Sequence, residues 1–458
     1  MLSKEDNEII TQTDRGTPMG ELFRRFWLPA LLSEEIPAKD CDPVRVRVMG
    51  EDLIAFRDSD GRPGVVNAYC AHRGAPMFFA RNEGCGIRCI YHGWKYDVTG
   101  QCVEVPNVPN GAAAAARLRI IAYPAQEGAG MVWIYMGPPE RKPPFPEFPF
   151  FDEDASHFVT KYEVDCNWLQ GLEGDMDPSH VQFLHSTLGN NIDQNYLLNP
   201  NMVAQGGPPK PGFEHTATVG MADTEVGLLF AGVRPAADKT EMRVQAQHVI
   251  LPTFPSAGLA GSTEPGVFSM NIRTPIDDEH EMHYRLRWTK RGFTEQELWQ
   301  YTHGGYVFPH HIPGTYRAAE NKDNDYLWNP VLRRQYNYSG ILPFPTQDLS
   351  MVENQWGPIA DRTQEHLLSS DVRIIFARQR LLRMAKDLAE GIEPEEPFHM
   401  KDLHGNAMDG EPLVVSDTSK LSDQQLEELA ARFHTKLKAQ PKSRGAQVEL
   451  GDVAAESS

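Results

Sequence analysis

Two short loops that contain cysteine and histidine constrain this chain more than any other feature. Cys70 and His72 form a Cys-x-His pair, and Cys89 and His92 form a Cys-x2-His pair after sixteen intervening residues, followed directly by Gly-Trp. The N-terminal stretch MLSKEDNEII has no basic segment before an apolar run, so we expect no secretory signal. In such a chain, six cysteines favour metal ligation over disulfide formation.

The mixed pairs distinguish two kinds of metal centre. Structural zinc sites commonly pair cysteine with cysteine and histidine with histidine. In a Rieske [2Fe-2S] cluster, two cysteines bind one iron and two histidines bind the other. The loops CAHRGA and CIYHGWKYD resemble the two cluster loops of Rieske proteins. We therefore interpret Cys70, His72, Cys89 and His92 as ligands of one such cluster, with structural zinc as the alternative.

The length and the local patterns divide the chain into regions. A chain of 458 residues exceeds what one hydrophobic core usually supports. Period-two segments such as VRVRV predict an antiparallel β domain, and the proline-dense GPPERKPPFPEFPFF predicts a stiff connector after it. The predicted regions are an N-terminal helical segment (1–39), the β domain (40–136), the connector (137–151), a second domain (152–400), an extension with a helix (401–438) and a disordered tail (439–458).

Helix signals occur on both sides of the β domain. Thr17-Pro18 predicts the start of a helix that Pro29 ends. An apolar pattern predicts a long helix from about residue 370 to Gly391. Ser422 and Gln425 form the sequence signature of a capping box for a last helix.

Charge and hydropathy exclude several classes of partner. The formal net charge of −19 argues against binding to nucleic acid or to anionic lipid. No stretch reaches the roughly 18 consecutive apolar residues of a membrane span. We therefore expect a cytoplasmic protein that acts on a small molecule.

A second group of possible ligands follows the connector, within NWLQGLEGDMDPSHVQFLHS. Its polar residues recur at spacings of 3, 3, 4 and 3, which on a helix gives one continuous stripe: Asn167, Gln170, Glu173, Asp177 and His180. A solvated surface face is the alternative interpretation. The segment contains no lysine or arginine, however, and its proline would break a regular helix. We therefore expect a buried site on a kinked helix.

His180 and His185 are suited to bind one ion. Non-haem iron oxygenases bind iron through two histidines and one carboxylate, which leaves positions open for O2 and substrate. The third ligand is expected in the late segment QDLSMVENQWGPIADRTQEHLLSSD. From the residues alone, the candidates are Asp348, Glu353, Asp361 and Asp371.

With both motifs in place, the chain resembles the catalytic α subunit of a Rieske non-haem iron aromatic-ring-hydroxylating oxygenase. The nearest group is the phthalate dioxygenase-like family, which includes ring dioxygenases and aryl O-demethylases. The resemblance implies an α+β fold, with a small antiparallel β Rieske domain and an α+β catalytic domain whose antiparallel sheet is flanked by helices. The family pattern of Gln-Asp followed by Glu implies Asp348 as the third iron ligand.

The resemblance also implies cofactors and partners. Each chain would hold one [2Fe-2S] Rieske cluster and one mononuclear Fe(II). A flavin/iron-sulfur reductase would supply electrons from NADH, with O2 as co-substrate. The family aspartate at Asp177 bonds a Rieske histidine of the neighbouring subunit, which implies a homotrimer or stacked trimers with His92 facing it. Local orientation of His180 is the alternative role of Asp177.

The substrate is predicted only by class. An aromatic carboxylate needs a guanidinium partner, and the strand arginines of the predicted catalytic domain are Arg234, Arg243, Arg273, Arg285 and Arg287. For each of them taken singly, an exposed sheet face is the favoured alternative interpretation. Among them we expect Arg243 first and Arg234 second, with Ser179 also reaching the pocket. The predicted reaction is dihydroxylation of a phthalate-like acid. The alternatives are an aryl O-demethylase or monooxygenase of a methoxylated aromatic acid, a Rieske electron carrier without its own enzymatic activity, and a zinc-containing binding module.

Overall fold

The structure of the protein is a computed structural model that describes residues 1–186, 217–235, 242–256, 266–403, 413–414 and 421–438. Helices and antiparallel sheets are mixed in it, which confirms the predicted α+β class. Within these residues, no helix is long and apolar enough to cross a bilayer. The predicted disordered tail, 439–458, lies outside the described residues.

The N-terminal region consists mainly of short strands. They are β1 (Trp27–Leu32), β2 (Val44–Val48), β3 (Glu51–Arg57), β4 (Pro63–Asn67), β5 (Arg81–Asn82), β6 (Ile87–Arg88), β7 (Lys95–Tyr96), β8 (Cys102–Glu104), β9 (Ala122–Tyr123), β10 (Ala125–Gly128) and β11 (Met131–Tyr135). They form sheets in the orders β1-β11-β10, β2-β3-β4-β9 and β5-β6-β7-β8. Buried and exposed residues alternate along these strands, as the sequence pattern predicts: in β2, Val46 and Val48 are buried while Arg45 and Arg47 are exposed.

Three helices accompany these strands: α1 (Lys4–Thr11), α2 (Pro18–Phe23) and α3 (Gly111–Ala115). The Thr17 hydroxyl accepts a hydrogen bond from the backbone of Gly20 and caps α2, as predicted. The predicted continuation of this helix to Pro29 is wrong. Residues 27–32 form β1 instead, with a register irregularity beside Pro29, whose missing N–H a bulge can accommodate. Pairing with β11 outweighs the helical spacing of the aromatic residues here.

The proline-dense connector contributes to the core. Phe148 and Phe150 are buried. Phe148 and Phe151 contact Trp133 of β11, at ring-centroid distances of 6.0 and 5.8 Å. One hydrophobic cluster runs from β1 and β11 through this segment into the region that follows. The segment therefore packs both regions together, and the predicted domain bounds stay a prediction.

The C-terminal region combines longer strands with most of the helices. Its strands are β12 (Ser156–Val164), β13 (Ala217–Asp223), β14 (Gly227–Pro235), β15 (Met242–Ile250), β16 (Phe254–Pro255), β17 (Phe268–Pro275), β18 (Glu281–Thr289) and β19 (Leu413–Val414). Its helices are α4 (Trp168–Met176), α5 (Glu295–Thr302), α6 (Pro330–Gln335), α7 (Phe344–Val352), α8 (Val372–Ala389), α9 (Glu396–His399) and α10 (Asp423–Arg432). The strands pair in the orders β12-β18-β17 and β13-β14-β15-β16, with β19 beside β15.

The sheet β12-β18-β17 has two buried faces of different chemistry. One face carries Met270, Ile272, Tyr284, Leu286 and Trp288, which belong to the cluster shared with the N-terminal region. The opposite face carries mostly polar side chains, although these too are buried. Because successive residues of a strand point to opposite faces, the sheet separates the shared core from a polar interior.

Helix α4 is anchored by the polar stripe predicted from the sequence. Asn167 caps the helix and donates hydrogen bonds to the carbonyls of Thr11 and Asp278. Gln170 donates to the carbonyl of Val352 and accepts from the backbone of Ala360. Both side chains are buried, so a solvated surface face is excluded. The helix ends before Pro178, and a short 3-10 turn, His180–Gln182, follows.

The two other predicted C-terminal helices are confirmed. Helix α8 covers the long apolar pattern and packs against α2. The side chain of Ser422 accepts from the backbone of Gln425 at the start of α10, which completes the predicted capping box. Leu429 and Phe433 then pack against Leu229 of β14.

Candidate metal centres

The two cysteine and histidine loops meet at one end of the β5-β8 sheet. Cys70 and Cys89 are buried, whereas His72 and His92 are partly exposed. The Nδ1 atoms of the two histidines lie 3.0 Å apart. Two buried thiols and two imidazoles that converge from opposite loops fit the donor set of a [2Fe-2S] cluster with two cysteine and two histidine ligands.

Neighbouring side chains fix these loops. Trp94 stacks on His72 at a ring-centroid distance of 4.4 Å. The Tyr96 hydroxyl lies 3.3 Å from Cys70 Sγ. Burial raises the pKa of Cys70 despite this contact, so a bound cation is needed to favour its thiolate. Gly93 adopts a positive φ of 78° in the second loop, a conformation that favours glycine.

The second site joins the segment after α4 to helix α7. His180, His185 and Asp348 each offer a ligand atom, and these atoms all lie within 4.8 Å of one another. Asp348 Oδ1 is 3.0 Å from His185 Nε2 and 3.7 Å from His180 Nε2. Two imidazoles and one carboxylate on one side of a common point fit a mononuclear iron that keeps open positions.

Each histidine of this site is oriented through its other ring nitrogen. His185 Nδ1 lies 2.8 Å from Gln347 Oε1, and Gln347 in turn donates to the carbonyl of Ile341. Such contacts set the tautomer and the orientation of a metal-binding imidazole. Gln347 was not among the residues predicted from the sequence, although it directly precedes Asp348 in the late segment.

Asp177 occupies the corresponding position beside His180. Its Oδ2 is 3.6 Å from His180 Nδ1, and its Oδ1 accepts from the backbone N–H and the hydroxyl of Ser179, at 2.7 and 2.6 Å. Burial alone would raise the pKa of Asp177, but His180 and Ser179 outweigh it and lower that pKa. Asp177 is therefore held as a carboxylate beside the imidazole.

The other candidate carboxylates of the late segment have different partners. Glu353 accepts from the Tyr326 hydroxyl and from the backbone of Asp165. Asp361 accepts from Thr363 and Gln364, and Asp371 accepts from the backbone of Leu368. Only Asp348 approaches the histidine pair among the described residues that could bind a metal.

Of the predicted substrate residues, the structure describes the side chain of Ser179 but only the backbone of Arg234 and Arg243. Arg234 and Arg243 lie directly opposite each other on β14 and β15. Their side chains lie outside the described part of the structure. The Ser179 hydroxyl donates to Asp177 and is thus next to His180.

Family comparisons agree with both sites. Residues 26–124 match the Rieske [2Fe-2S] domain. Residues 134–400 match the family model described as LigXa C-terminal domain like. These two matches cover both candidate metal centres in their predicted order along the chain.

Individual relatives have comparable lengths. The chain is 33% identical over 387 residues to the phthalate 4,5-dioxygenase oxygenase subunit of Pseudomonas putida, covering 83% of this chain and 86% of that protein. It is 30% identical over 400 residues to the 5,5'-dehydrodivanillate O-demethylase oxygenase subunit of a Sphingobium species, covering 86% and 83%.

A solved structure supports the fold. The fluorene-bound oxygenase and ferredoxin complex of carbazole 1,9a-dioxygenase superposes with a TM-score of 0.55 at 19% identity, covering 84% of this chain and 96% of that chain. At this identity the likeness concerns the fold alone.

Proposed function

The chain belongs to the Rieske oxygenases with a LigXa-type C-terminal domain, and from this premise we propose that it dihydroxylates an aromatic carboxylate of the phthalate type. It would be the oxygenase component of a multicomponent system. The convergence of His180, His185 and Asp348 in a chain with a Rieske domain carries the proposal. The electron carrier and the zinc-binding module are both excluded, because the matched region extends to residue 400 through an oxygenase domain.

In the proposed assignment, Cys70, His72, Cys89 and His92 hold one [2Fe-2S] cluster. The burial of the thiols and the exposure of the imidazoles support it, because they turn the histidine side of the centre toward the surface. His180, His185 and Asp348 hold one mononuclear Fe(II), supported by their mutual distances. When bound, the cluster supplies single electrons and the iron supplies a place for O2 to react.

We assign two roles to Asp177, one within its own chain and one toward a second subunit. Within the chain its carboxylate lies 3.6 Å from His180 Nδ1 and orients that imidazole through charge. Toward a second subunit it bonds His92, so that copies of the chain form a head-to-tail homotrimer or stacked trimers. The partial exposure of both Asp177 and His92 supports this, because each is reachable from outside its own chain.

Electrons come from a partner protein in this proposal. The complex of carbazole 1,9a-dioxygenase contains a ferredoxin, which supports an electron-transfer partner in general. We propose a flavin/iron-sulfur reductase that takes electrons from NADH, with the whole system in the cytoplasm. Ser179, Arg243 and Arg234 stay candidates for contact with the substrate.

The second candidate function is O-demethylation or monooxygenation of a methoxylated aromatic acid. The relative from Sphingobium, an O-demethylase by name, favours it as the alternative. Both reactions would use the same iron site, so the site geometry does not separate them.

Product analysis tests the proposal and separates these reactions. The purified chain is supplied with a Rieske reductase, NADH, isotopically labelled O2 and a panel of aromatic acids and methyl ethers. A product with two labelled oxygen atoms supports dihydroxylation. Loss of a methyl group as formaldehyde assigns the chain to O-demethylation instead. Iron and acid-labile sulfide analysis of the same sample tests the cofactor assignment independently.

A further inference from the structure

The polar face of the sheet β12-β18-β17 is the most unusual buried surface of the described structure. Its residues alternate with the apolar set described above. They are Thr160 and Tyr162 on β12, Ser269, Asn271 and Arg273 on β17, and Glu281, His283, Arg285 and Arg287 on β18, all buried. Three arginines on one buried sheet face require compensating anions, because an isolated charge is very costly to bury.

Arg273 has such compensation. Its Nε lies 2.6 Å from Asp175 Oδ2, and it also contacts Glu281. Asn271 donates to the other oxygen of Asp175 at 2.5 Å. Burial raises the pKa of Glu281 to about 8, so Asp175 is the main counter-charge of Arg273. Asp175 is thereby fully engaged.

Among the residues that the structure describes, Arg285 and Arg287 have no such partner. They are only 8% and 9% exposed. No side-chain hydrogen bond or ion pair connects either of them to another described residue, and Arg287 Nε is buried without an acceptor. The guanidinium carbon of Arg287 lies 6.0 Å from the ring centroid of Tyr301. Neither guanidinium group therefore forms an ion pair with a carboxylate of the described residues, although a buried charge is costly without one.

His283 does not add a third charge. Both of its ring nitrogens are buried without a hydrogen-bond partner. Burial, together with the nearby Arg273 and Arg285, lowers the pKa of His283 well below its usual range. The neutral ring thus offers one donor and one acceptor beside the two arginines.

This face lies next to the candidate iron site. Tyr162 stands opposite His283 in the sheet and packs in one cluster with Leu349, the residue after Asp348. Asn271, opposite Arg285, bonds Asp175 at the end of α4. The two arginines therefore lie on the face of the sheet that is turned toward the end of α4 and toward α7, the elements next to the candidate iron ligands.

We propose that Arg285, supported by Arg287 and His283, is the anion-binding subsite for the substrate of the iron centre. The inference rests on the proposed function and names the group that is recognised: a carboxylate on the aromatic ring, held by the planar guanidinium fork of Arg285. Arg287 supplies a second positive charge two residues along the same strand face. Binding of the substrate would thus provide the counter-anion that the described protein groups lack.

Equilibrium binding tests this assignment without turnover. The probes are phthalate, benzoate and vanillate, with neutral benzamide as the matched uncharged ligand, titrated anaerobically by calorimetry. We expect Arg285→Gln to weaken binding of the preferred acid by about 10- to 100-fold, the range of a charge-assisted hydrogen bond. Benzamide binding should change far less. Arg285→Lys keeps the positive charge but not the planar guanidinium fork. Its affinity for the preferred acid should therefore lie between those of the wild type and Arg285→Gln.

Controls separate binding from folding. The exposed Arg317→Gln variant should bind like the wild type. The iron content and the Rieske absorbance of Arg285→Gln should equal those of the wild type. Loss of the mononuclear iron would instead show that Arg285 only supports Asp348, and would overturn the proposal.

The remaining outcomes distinguish this inference from the proposed function. If an acid binds the wild type and Arg285→Gln equally well, the subsite assignment is wrong while the proposed function stands. If Arg243→Gln loses more affinity than Arg285→Gln, the role belongs to Arg243. If none of the three acids binds the wild type, both the carboxylate substrate class and the subsite are wrong.

Discussion

The Rieske ligand candidates come from two loops within residues 70–92, whereas the iron candidates join residues 180–185 to a helix that begins at Phe344. Strand pair β6-β7 holds the loop of Cys89 and His92, and the Cys70 N–H donates to the Ala75 carbonyl within the other loop, so local turns largely decide the geometry of the first set. The second set exists only if α4 and α7 are packed correctly. We therefore expect the mononuclear site to be the more easily disrupted of the two.

Packing of α4 depends on a buried ion network. Glu173 lies 3.1 Å from Arg362 Nη2 and 2.6 Å from Arg378 Nε, and Arg378 also pairs with Glu365. This network ties α4 to α8 and to the segment after α7. In contrast to Arg285 and Arg287, these arginines are fully compensated by protein carboxylates. Paired buried charges here maintain the fold, whereas the unpaired ones leave a place for a ligand.

The largest expected effect is that of Asp348→Ala. The variant should lose its mononuclear iron and its turnover, because one of three ligands is gone. The Rieske absorbance should remain, since among the described residues the ion contacts of Asp348 are with His180 and His185 and not with the cluster loops. Metal analysis and visible spectroscopy on one sample check both halves of the comparison. Full activity would move the ligand role to another carboxylate.

Glu173→Gln should have the next largest effect. It leaves Arg362 and Arg378 without a full counter-charge, and breaking a buried pair typically costs about 3–5 kcal/mol. The free energy of unfolding from denaturant titration is the measurement. The exposed Glu279→Gln should change it by less than about 0.5 kcal/mol. An unchanged stability in Glu173→Gln would refute the anchoring role of this network.

The same residue gives a pH dependence. Burial alone would raise the pKa of Glu173, but Arg362 and Arg378 outweigh it and lower that pKa below the usual value of 4.5. A carboxyl group with a lowered folded-state pKa contributes stability above its unfolded pKa and loses it as the pH falls through the folded one. Wild-type stability should therefore fall below pH 4.5 more steeply than that of Glu173→Gln. If the free energy of unfolding fell equally steeply with pH in the wild type and in Glu173→Gln below pH 4.5, this prediction would be wrong.

Asp177→Asn should have a smaller effect, and it tests the proposed connection between the two metal centres. Both metal centres should stay bound, because Asp177 is not a direct ligand of the cluster or of the mononuclear iron. Transfer of electrons from the pre-reduced cluster to the iron should slow by about 10- to 100-fold, the scale of losing a carboxylate partner of a metal histidine. Single-turnover oxidation with substrate and O2 measures this rate. A wild-type rate would leave Asp177 a local role beside His180 only.

Tyr96→Phe should have the smallest effect, confined to the Rieske loops. It removes the hydroxyl 3.3 Å from Cys70 Sγ. Hydrogen bonds to cluster sulfurs help set the reduction potential, and one bond of about 0.5–1.5 kcal/mol corresponds to roughly 20–60 mV for one electron. The potential should fall by that amount while the mononuclear iron content stays constant. Spectroelectrochemistry checks the shift, and an unchanged potential would show that this contact does not influence the centre.

Where the structure departed from the predictions, long-range pairing was the cause. Helical spacing was found for Leu22, Phe23, Phe26 and Trp27 in the sequence. Residues 27–32 nevertheless pair with β11, a strand about a hundred residues later. Gln347 was missed because its role depends on His185, which only folding brings near. The burial of Arg285 and Arg287 could not be predicted either, because an alternating strand pattern does not reveal which face is buried or what lies opposite it.

The sequence by itself determined the spacing of the Rieske loops, of the histidine pair and of the polar stripe of α4, whereas the α+β class followed from the family resemblance. Each of these spacings lies within one segment, and local geometry converts it directly into position. Only the tertiary structure decided which carboxylate meets the histidines, what compensates Glu173, and that Arg285 and Arg287 are buried without an ion-pair partner among the described residues. Those facts depend on contacts between residues far apart in the chain, and such contacts are formed by the packing of the core as a whole.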